Sequence, residues 1–500
     1  MTAAYRTRKS VLGIDVGTST TKALCCSTSG EMIATAQITY PTHVGKGGRA
    51  EQQPEDWIAA VVTCLREIAR QARSAWPPDA VSITGQMHGL VLLDDRGRVL
   101  RPCLICSDSR ATEELGIILR RLSRRRILEI TGSPPLPVFP GPKMLWIKNN
   151  EPQIYQRIRK VMFPKDYVGY VMTGQWATDP SDASGSMLYD FRSRTWNDIL
   201  GEACGVPADV LPPIRACEEI RGTVGAEFAR QSGLSIGTPV IVGGGDLPMT
   251  VLGCGITNPS TAGLSLGTAG IVFRLVVDGS LEPSGNLFTF AHADADFQVR
   301  MGSCPAAGFS LNWFETSVLG RQPDFERINY SQAEDRLAEK PTLFFLPFLL
   351  GTGSPYMNYQ VRAGFIGLSP HHNTRQLRLA ILEGICYSLR HSLSYLQGEC
   401  SAIERAMVCG GGTKNETWLH VLSGVIDLPL NCVATRDVAV LGAAILCAYV
   451  IEATGTLEET CRRFCRTEQT VQQCARLTEY YQAGYREYVS LANGLVLDGY

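Results

Sequence analysis

The sequence has no excess of positive charge. Its 47 Lys and Arg face 48 Asp and Glu, a formal charge of −1. No basic field is available to hold a polyanion, so nucleic acid and anionic membrane are excluded as expected partners. Long apolar runs are also absent. The first, "VLGI", stops at Asp15, too short for a signal-peptide core. No later stretch approaches the ~18 uninterrupted apolar residues of a membrane span. A cytoplasmic protein is the expectation. Metal-type cysteine pairs are lacking too. Most of the 17 cysteines sit in apolar runs such as "ALCCS", "MVCGGG" and "AAILCAYV", which reads as buried free thiols. Cys103 and Cys106 form a CxxC with no second pair, and on a strand their side chains would face opposite ways. That excludes a zinc site. Walker A is missing, because Gly45-Lys46 is followed by Gly47, and no HRD triplet occurs.

What is present is an ordinary globular composition, 45% hydrophobic and 19% charged over 500 residues, enough for about two to four domains. The start, "SVLGIDVGTSTTKALCCSTSGEM", reads as strand, turn, strand, with turns at "GTST" and "STSG". A helix is expected around "QPEDWIAAVVTCLREIARQA". A strand, a glycine-flanked polar knot and a hairpin turning at "DDRG" follow, in "AVSITGQMHGLVLLDDRGRVL". The charge run "ILRRLSRRRILEI" is expected as a solvated helix face, and residues 133–142 as a stiff loop. Strands alternating with helices predict an α/β fold. The pattern then restarts: "AGLSLGTAGIVFRLVVDGSLEP" repeats strand, Gly-Thr turn, strand about half a chain later. Two domains of related design are expected, 10–256 and 257–500. Later helices are expected at "TRQLRLAILEGICYSLRHSLSYL", "NETWLHVLSGVID", "AVLGAAILCAYVIEA" and "RLTEYYQAGYREYVSLA".

Five places can carry chemistry. The turns "DVGTSTTK" and "SLGTAG" offer small residues and inward backbone N–H groups, as phosphate requires. Asp15 ends a strand beside the first turn, where a carboxylate suits nucleotide-borne Mg²⁺. "VCGGGTKNETW" lets a flat ligand approach the backbone closely. In "TGQMHGL", Gln86, Met87 and His88 stand at a strand end, where α/β sheets place ligands. In "VIVGGGDLPMT", Asp246 follows three glycines at the end of an apolar run. A carboxylate there suits general-base work on a hydroxyl attacking phosphorus. The alternative is an aspartate capping a helix that begins at Leu247 or Pro248. "GLSIG" and "GLSLG" match the GxSxG pattern of serine hydrolases, but neither Ser235 nor Ser265 has the required strand–elbow–helix context.

These blocks together resemble the FGGY carbohydrate kinases. The resemblance runs from about Val11 to about Val450, through "GIDVGTSTTKA", "EQQPEDW", "GQMHG", "GGGD" and "GGGTKNETW". Within that family, "GQMHGLVLLD" and "PKDYVGYVMTGQWATDPSDASG" look like the xylulokinases. The resemblance implies a two-domain actin-like ATPase (ribonuclease H-like) fold, each domain a mixed sheet flanked by helices. It implies ATP-dependent phosphorylation of a ketose or polyol, with ATP and Mg²⁺ as cofactors and a homodimer as an open option. Asp246 matches the family's catalytic base, and Asp15 the aspartate near metal and phosphates; both would face the metal. Gln86, Met87, His88, Asp108 and Asp246 fall on the substrate side. Gly17, Thr18, Ser19, Gly267 and Thr268 fall in the phosphate turns, and Gly411, Gly412 and Asn415 on the adenosine side. Three departures concern the sugar pocket. Leu247 replaces the asparagine that usually follows the base, Cys106 replaces a bulky aromatic, and "LLGTGSPYMN" stands where the family usually has a glutamate and a threonine before proline. A non-catalytic ATP-binding sensor is the alternative of a different class.

Overall fold

The computed structural model describes residues 9–280, 282–322, 342–399 and 402–497. Two mixed sheets dominate it. The first has six strands in the order Ile220–Thr223, Pro239–Gly245, Ala80–Gly85, Ser10–Val16, Thr20–Ser27, Met32–Thr39. Its three central strands run parallel, and its outer ladders are antiparallel. The second has seven, in the order Phe288–Ala291, Phe297–Cys304, Gly270–Val277, Thr261–Leu266, Arg405–Cys409, Leu430–Val433, Thr467–Val471. Here too a meander feeds two parallel ladders and closes on an antiparallel edge. The internal repeat seen in the sequence is therefore a repeat of sheet topology.

Local chemistry explains the main helices. Pro54–Ala72 starts with Pro54 in its first turn and buries Trp57, Val61, Leu65 and Ile68 at helical spacing. Val438–Glu452 is apolar all round because it is buried all round. It packs on the first sheet through Gly13, and on the helix Asp246–Gly253 through Gly442 and Gly253. A Cβ on Gly253 would lie 1.8 Å from the Val438 carbonyl oxygen, and one on Gly442 1.9 Å from that of Met249. This helix pair is the seam between the two sheets.

Two expectations are corrected. The charge run 118–130 is not one helix: Thr112–Arg121 ends at an extended Leu122, and Ser123 caps Arg124–Thr131 through the Arg126 N–H. A serine that can cap starts a new helix even inside a helical pattern. The stiff loop at 133–142 ends at Phe139, because Pro140 opens the helix Pro140–Asn150. The "DDRG" hairpin forms, with Gly97 at φ 73° and Leu93 bridged to Val99. Ser265 lies inside a strand and Ser235 before one, so no nucleophile elbow exists at either. No helix among the described residues is long and apolar enough to cross a membrane.

Candidate active site

Three parallel strands of the first sheet end side by side, and each delivers a polar group. Ser10–Val16 carries Asp15, Ala80–Gly85 leads into Gln86, Met87 and His88, and Pro239–Gly245 leads into Asp246. Two of the three glycines before Asp246 have separate reasons. Gly243 sits at φ 75° beside a bulge, where a Cβ would lie 1.8 Å from the Ile83 carbonyl oxygen. Gly245 leaves room for Met87, whose Cγ would be 2.6 Å from an added Cβ. The helix begins at Asp246 itself, with Gly245 as its N-cap. That corrects the start expected at Leu247 or Pro248.

Asp15 and Asp246 face one electrostatic problem. Burial and, next, the charge of Asp15 push Asp246 up to about 7, against the opposing pull of backbone N–H groups at the helix start. Burial raises Asp15 to about 6; Lys22 opposes the shift and Asp437 adds to it. Lys22 and Asp437 form an ion pair of 2.6 Å linking the first sheet to the start of the Val438 helix. Asp15 Oδ1 is buried without a hydrogen-bond partner. Among the described residues, no three His, Cys, Asp or Glu side chains converge to hold a metal alone.

The two Gly-Thr turns are built alike. In the first, the Gly17 carbonyl accepts the Tyr40 hydroxyl, and the Thr18 carbonyl accepts Gln52 Nε2 at 2.5 Å. In the second, the Gly267 and Thr268 carbonyls accept the N–H groups of Gly308 and Phe309 at 3.1 and 3.0 Å. Carbonyl oxygens, which would repel phosphate, are thus drawn backwards in both. Thr18, Ser19, Gly267 and Thr268 stay exposed.

Behind the first turn lies a buried chain that sequence reasoning left without a role. Gln52 Oε1 accepts Trp57 Nε1 at 3.0 Å and Gln86 Nε2 at 2.9 Å, while Gln52 Nε2 holds Thr42 and Thr18. Its signal was visible: Gln52 and Trp57 are five residues apart in "EQQPEDW". Gln86, almost wholly buried, thus props the turn from the neighbouring strand end.

Met87 and His88 lie against Gly185, where a Cβ would be 2.8 Å from the imidazole and 3.1 Å from the Met87 methyl. His88 has φ 66°, a strained backbone for a residue with a side chain. Its Nδ1 lies 2.8 Å from the Gly185 carbonyl. A carbonyl only accepts, so Nδ1 carries the proton and Nε2 is left as an acceptor. Burial lowers this imidazole to about 4, so it stays neutral. The His88 carbonyl is held by Lys143, a fully buried lysine that also donates to the Leu104 and Ile105 carbonyls. Nothing in "GPKMLW" marks it out in the sequence. Cys106 Sγ lies 3.7 Å from both Thr18 Oγ1 and Gln86 Oε1. Asp108 is wholly buried, and both its oxygens are engaged by Arg110 and the Ala50 N–H. It holds Arg110, which also pairs with Glu51 and stacks on Trp146.

Across the seam, a cavity of about 430 Å³ is lined by Gly267, Thr268, Phe309, Leu382, Gly411, Gly412, Asn415 and Trp418 among others. Its walls are largely apolar, as a small-molecule pocket requires. Asn415 Oδ1 caps the helix Glu416–Ile426 by accepting the Trp418 N–H at 2.8 Å.

Residues 10–253 match the sequence profile of the FGGY family of carbohydrate kinases, N-terminal domain, and residues 262–451 that of its C-terminal domain. The chain is 31% identical over 485 residues to the xylulose kinase of Bacillus subtilis (strain 168), covering 95% of this chain and 97% of that protein. It is 33% identical over 434 residues to the xylulose kinase of Escherichia coli (strain K12), covering 87% and 88%. The crystal structure of xylulose kinase from Rhodospirillum rubrum superposes with a TM-score of 0.89 at 27% identity, over 97% of this chain and 99% of that one.

Proposed function

Since the chain belongs to the FGGY family of carbohydrate kinases and is therefore an ATP-dependent sugar kinase, we propose that its acceptor is a ketose or polyol of the xylulose class and that Asp246 is its general base. The observation that carries this reading is the carboxylate pair at the strand ends, with Asp246 held near pH 7 by burial and by Asp15. A base poised there is ionised often enough to accept a proton, and basic enough to hold it. As the substrate oxygen bonds to the γ-phosphorus and the bond to ADP breaks, the hydroxyl proton passes to Asp246. His88 Nε2, left as an acceptor, takes a hydrogen bond from a neighbouring hydroxyl and orients the sugar, with Met87 as its apolar floor. Gln86 and Asp108 act from behind, one through the turn and one through Arg110.

Half-buried Gly17 and the exposed Thr18 and Ser19 cradle phosphate from one side, Gly267 and Thr268 from the other. Gly411, Gly412 and Asn415 line the adenosine side. Mg²⁺ fits the donor set, because the unpartnered Asp15 Oδ1 is a hard oxygen beside the phosphate turn. Asp15 and Asp246 would hold it, and its chemistry there is to neutralise phosphate charge. Closing the two halves, divided near 256/257, over both substrates would exclude water as a competing acceptor. The proposal includes action in the cytoplasm, where ATP is supplied, and leaves a homodimer to be read by gel filtration.

The relatives above are xylulose kinases, and a Bacillus subtilis gluconokinase is 25% identical. The test is therefore ADP release against D-xylulose, L-xylulose, D-ribulose, xylitol, glycerol and gluconate. One of the first four is expected to stimulate ADP release most strongly, and Asp246→Asn to lower kcat about 10²–10⁴-fold, the usual contribution of a general base. Stimulation by gluconate alone, or an undiminished Asp246→Asn, would overturn the proposal.

A further inference from the structure

The segment "PKDYVGYVMTGQWATDPSDASG" folds into a buried charge cluster behind Asp246. Lys165, with no exposed surface, sits 2.7 Å from Asp166 Oδ1, 2.7 Å from Asp179 Oδ1 and 3.4 Å from Asp182 Oδ2. Arg221 is buried beside it, bonded to Asp166 and to the Ala177 carbonyl. So many ions out of water weigh against stability unless they hold something in place. The other oxygen of Asp179, Oδ2, shows what is held. It accepts the Ser181 N–H at 2.7 Å and the Ser181 hydroxyl. A hydroxyl has one proton to give, and Asp179 takes it. The lone pair of Ser181 Oγ then accepts the Gly245 N–H at 2.8 Å.

Gly245 is the residue before the base and the N-cap of its helix. It ends three glycines that follow a bulge, a stretch with unusually high backbone freedom. Register pairing of Gly245 with Gly85 restrains this stretch on one side. The Ser181 bond restrains it on the other.

We propose that Ser181 is a positioning residue for phosphoryl transfer: anchored by Asp179 and Lys165, its hydroxyl fixes the Gly245 peptide and thereby the direction in which the Asp246 carboxylate leaves its helix. Misplacing a reacting group by about 1 Å costs about 10²-fold in rate, so the effect belongs to kcat. The inference rests on the kinase reading above.

The test compares Ser181→Ala with Ser232→Ala in the full-length protein. Ser232 is equally buried, bonds the Phe228 carbonyl and the Leu234 N–H, and lies in another helix, Ala226–Ser232. Both variants are assayed with ATP and the best acceptor of the panel, alongside thermal melting and ADP affinity. Ser181→Ala is expected to lower kcat tenfold or more, with KM for both substrates and ADP affinity within twofold of wild type. Ser232→Ala is expected to lose similar thermal stability and keep its kcat. Should Ser181→Ala fail to bind ADP, Ser181→Cys, which keeps a weaker acceptor in the same place, is assayed instead and is expected to lower kcat between about twofold and tenfold with ADP affinity kept. A kcat within twofold of wild type, or an equal fall in Ser232→Ala, overturns the inference alone. A wild-type protein that phosphorylates no acceptor overturns the kinase reading and the inference together.

Discussion

Asp246 and Asp15 hold their protons to higher pH than free carboxylates do, and that has a consequence for stability. Their folded values, about 7 and about 6, lie above the unfolded value of about 3.9. A group raised on folding contributes stability at low pH, and that contribution is lost as pH rises through the folded value. The window for Asp246 runs from about pH 4 to about pH 7. Its full shift would amount to about 4 kcal/mol, but the side chain is only half-buried, so about 1–2 kcal/mol is realistic. Asp246→Asn should therefore melt about 1–4 °C above wild type at pH 8 and level with it at pH 4.5. Equal melting temperatures at pH 8 would contradict the burial argument. If Asp246 is the general base as proposed, the same shift predicts that kcat/KM falls below about pH 7, as its carboxylate becomes protonated. The two carboxylates were legible in the sequence because each ends an apolar run beside glycine. The αL backbone of His88 and the buried Lys143 beneath it were not. Both depend on carbonyls contributed by distant segments, which no local pattern records.

At the scale of elements, the seam between the two sheets is a contact of backbone against backbone. Gly442 of the Val438 helix lies against the Met249 carbonyl, and Gly253 of the Asp246 helix against that of Val438. A methyl group at Gly442 would have to push two helices apart, since no flexible side chain there can give way. Overpacking of this kind costs about 1–3 kcal/mol or more. Gly442→Ala is expected to lower the melting temperature by several degrees, and kcat with it, because the Asp246 helix must shift. A melt unchanged within 1 °C would show the crossing to be looser than described. The helices 54–72 and 416–426 were readable from period and capping. The break at Leu122–Ser123 was missed because a single serine cap outweighed an otherwise continuous period. That the apolar "AVLGAAILCAYV" would lie on the first sheet, rather than on its own, follows from tertiary packing alone.

For the whole molecule, the repeated sheet topology was legible from two matched Gly-Thr turns half a chain apart. The way each turn is supported was not: Tyr40 and Gln52 serve the first, and a helix start at Gly308 the second. If both turns cradle phosphate as proposed, that shared task constrains the turn and leaves its scaffolding free to differ. The thiols of this fold lead somewhere else. Sixteen described cysteines are free; Cys474 alone is exposed, and Cys106 and Cys465 are half-covered. Most of the rest are pushed up by burial, Cys103 to about 12 and Cys217 well above the usual thiol range, which keeps them from reacting as thiolates. The molecule thus carries its own stopwatch. A thiol reagent should label Cys474 at once, and Cys106 slowly at a rate that drops when nucleotide and sugar together cover the mouth of the cleft. The buried thiols should follow only as each sheet opens, so the order of labelling would chart which half lets go first.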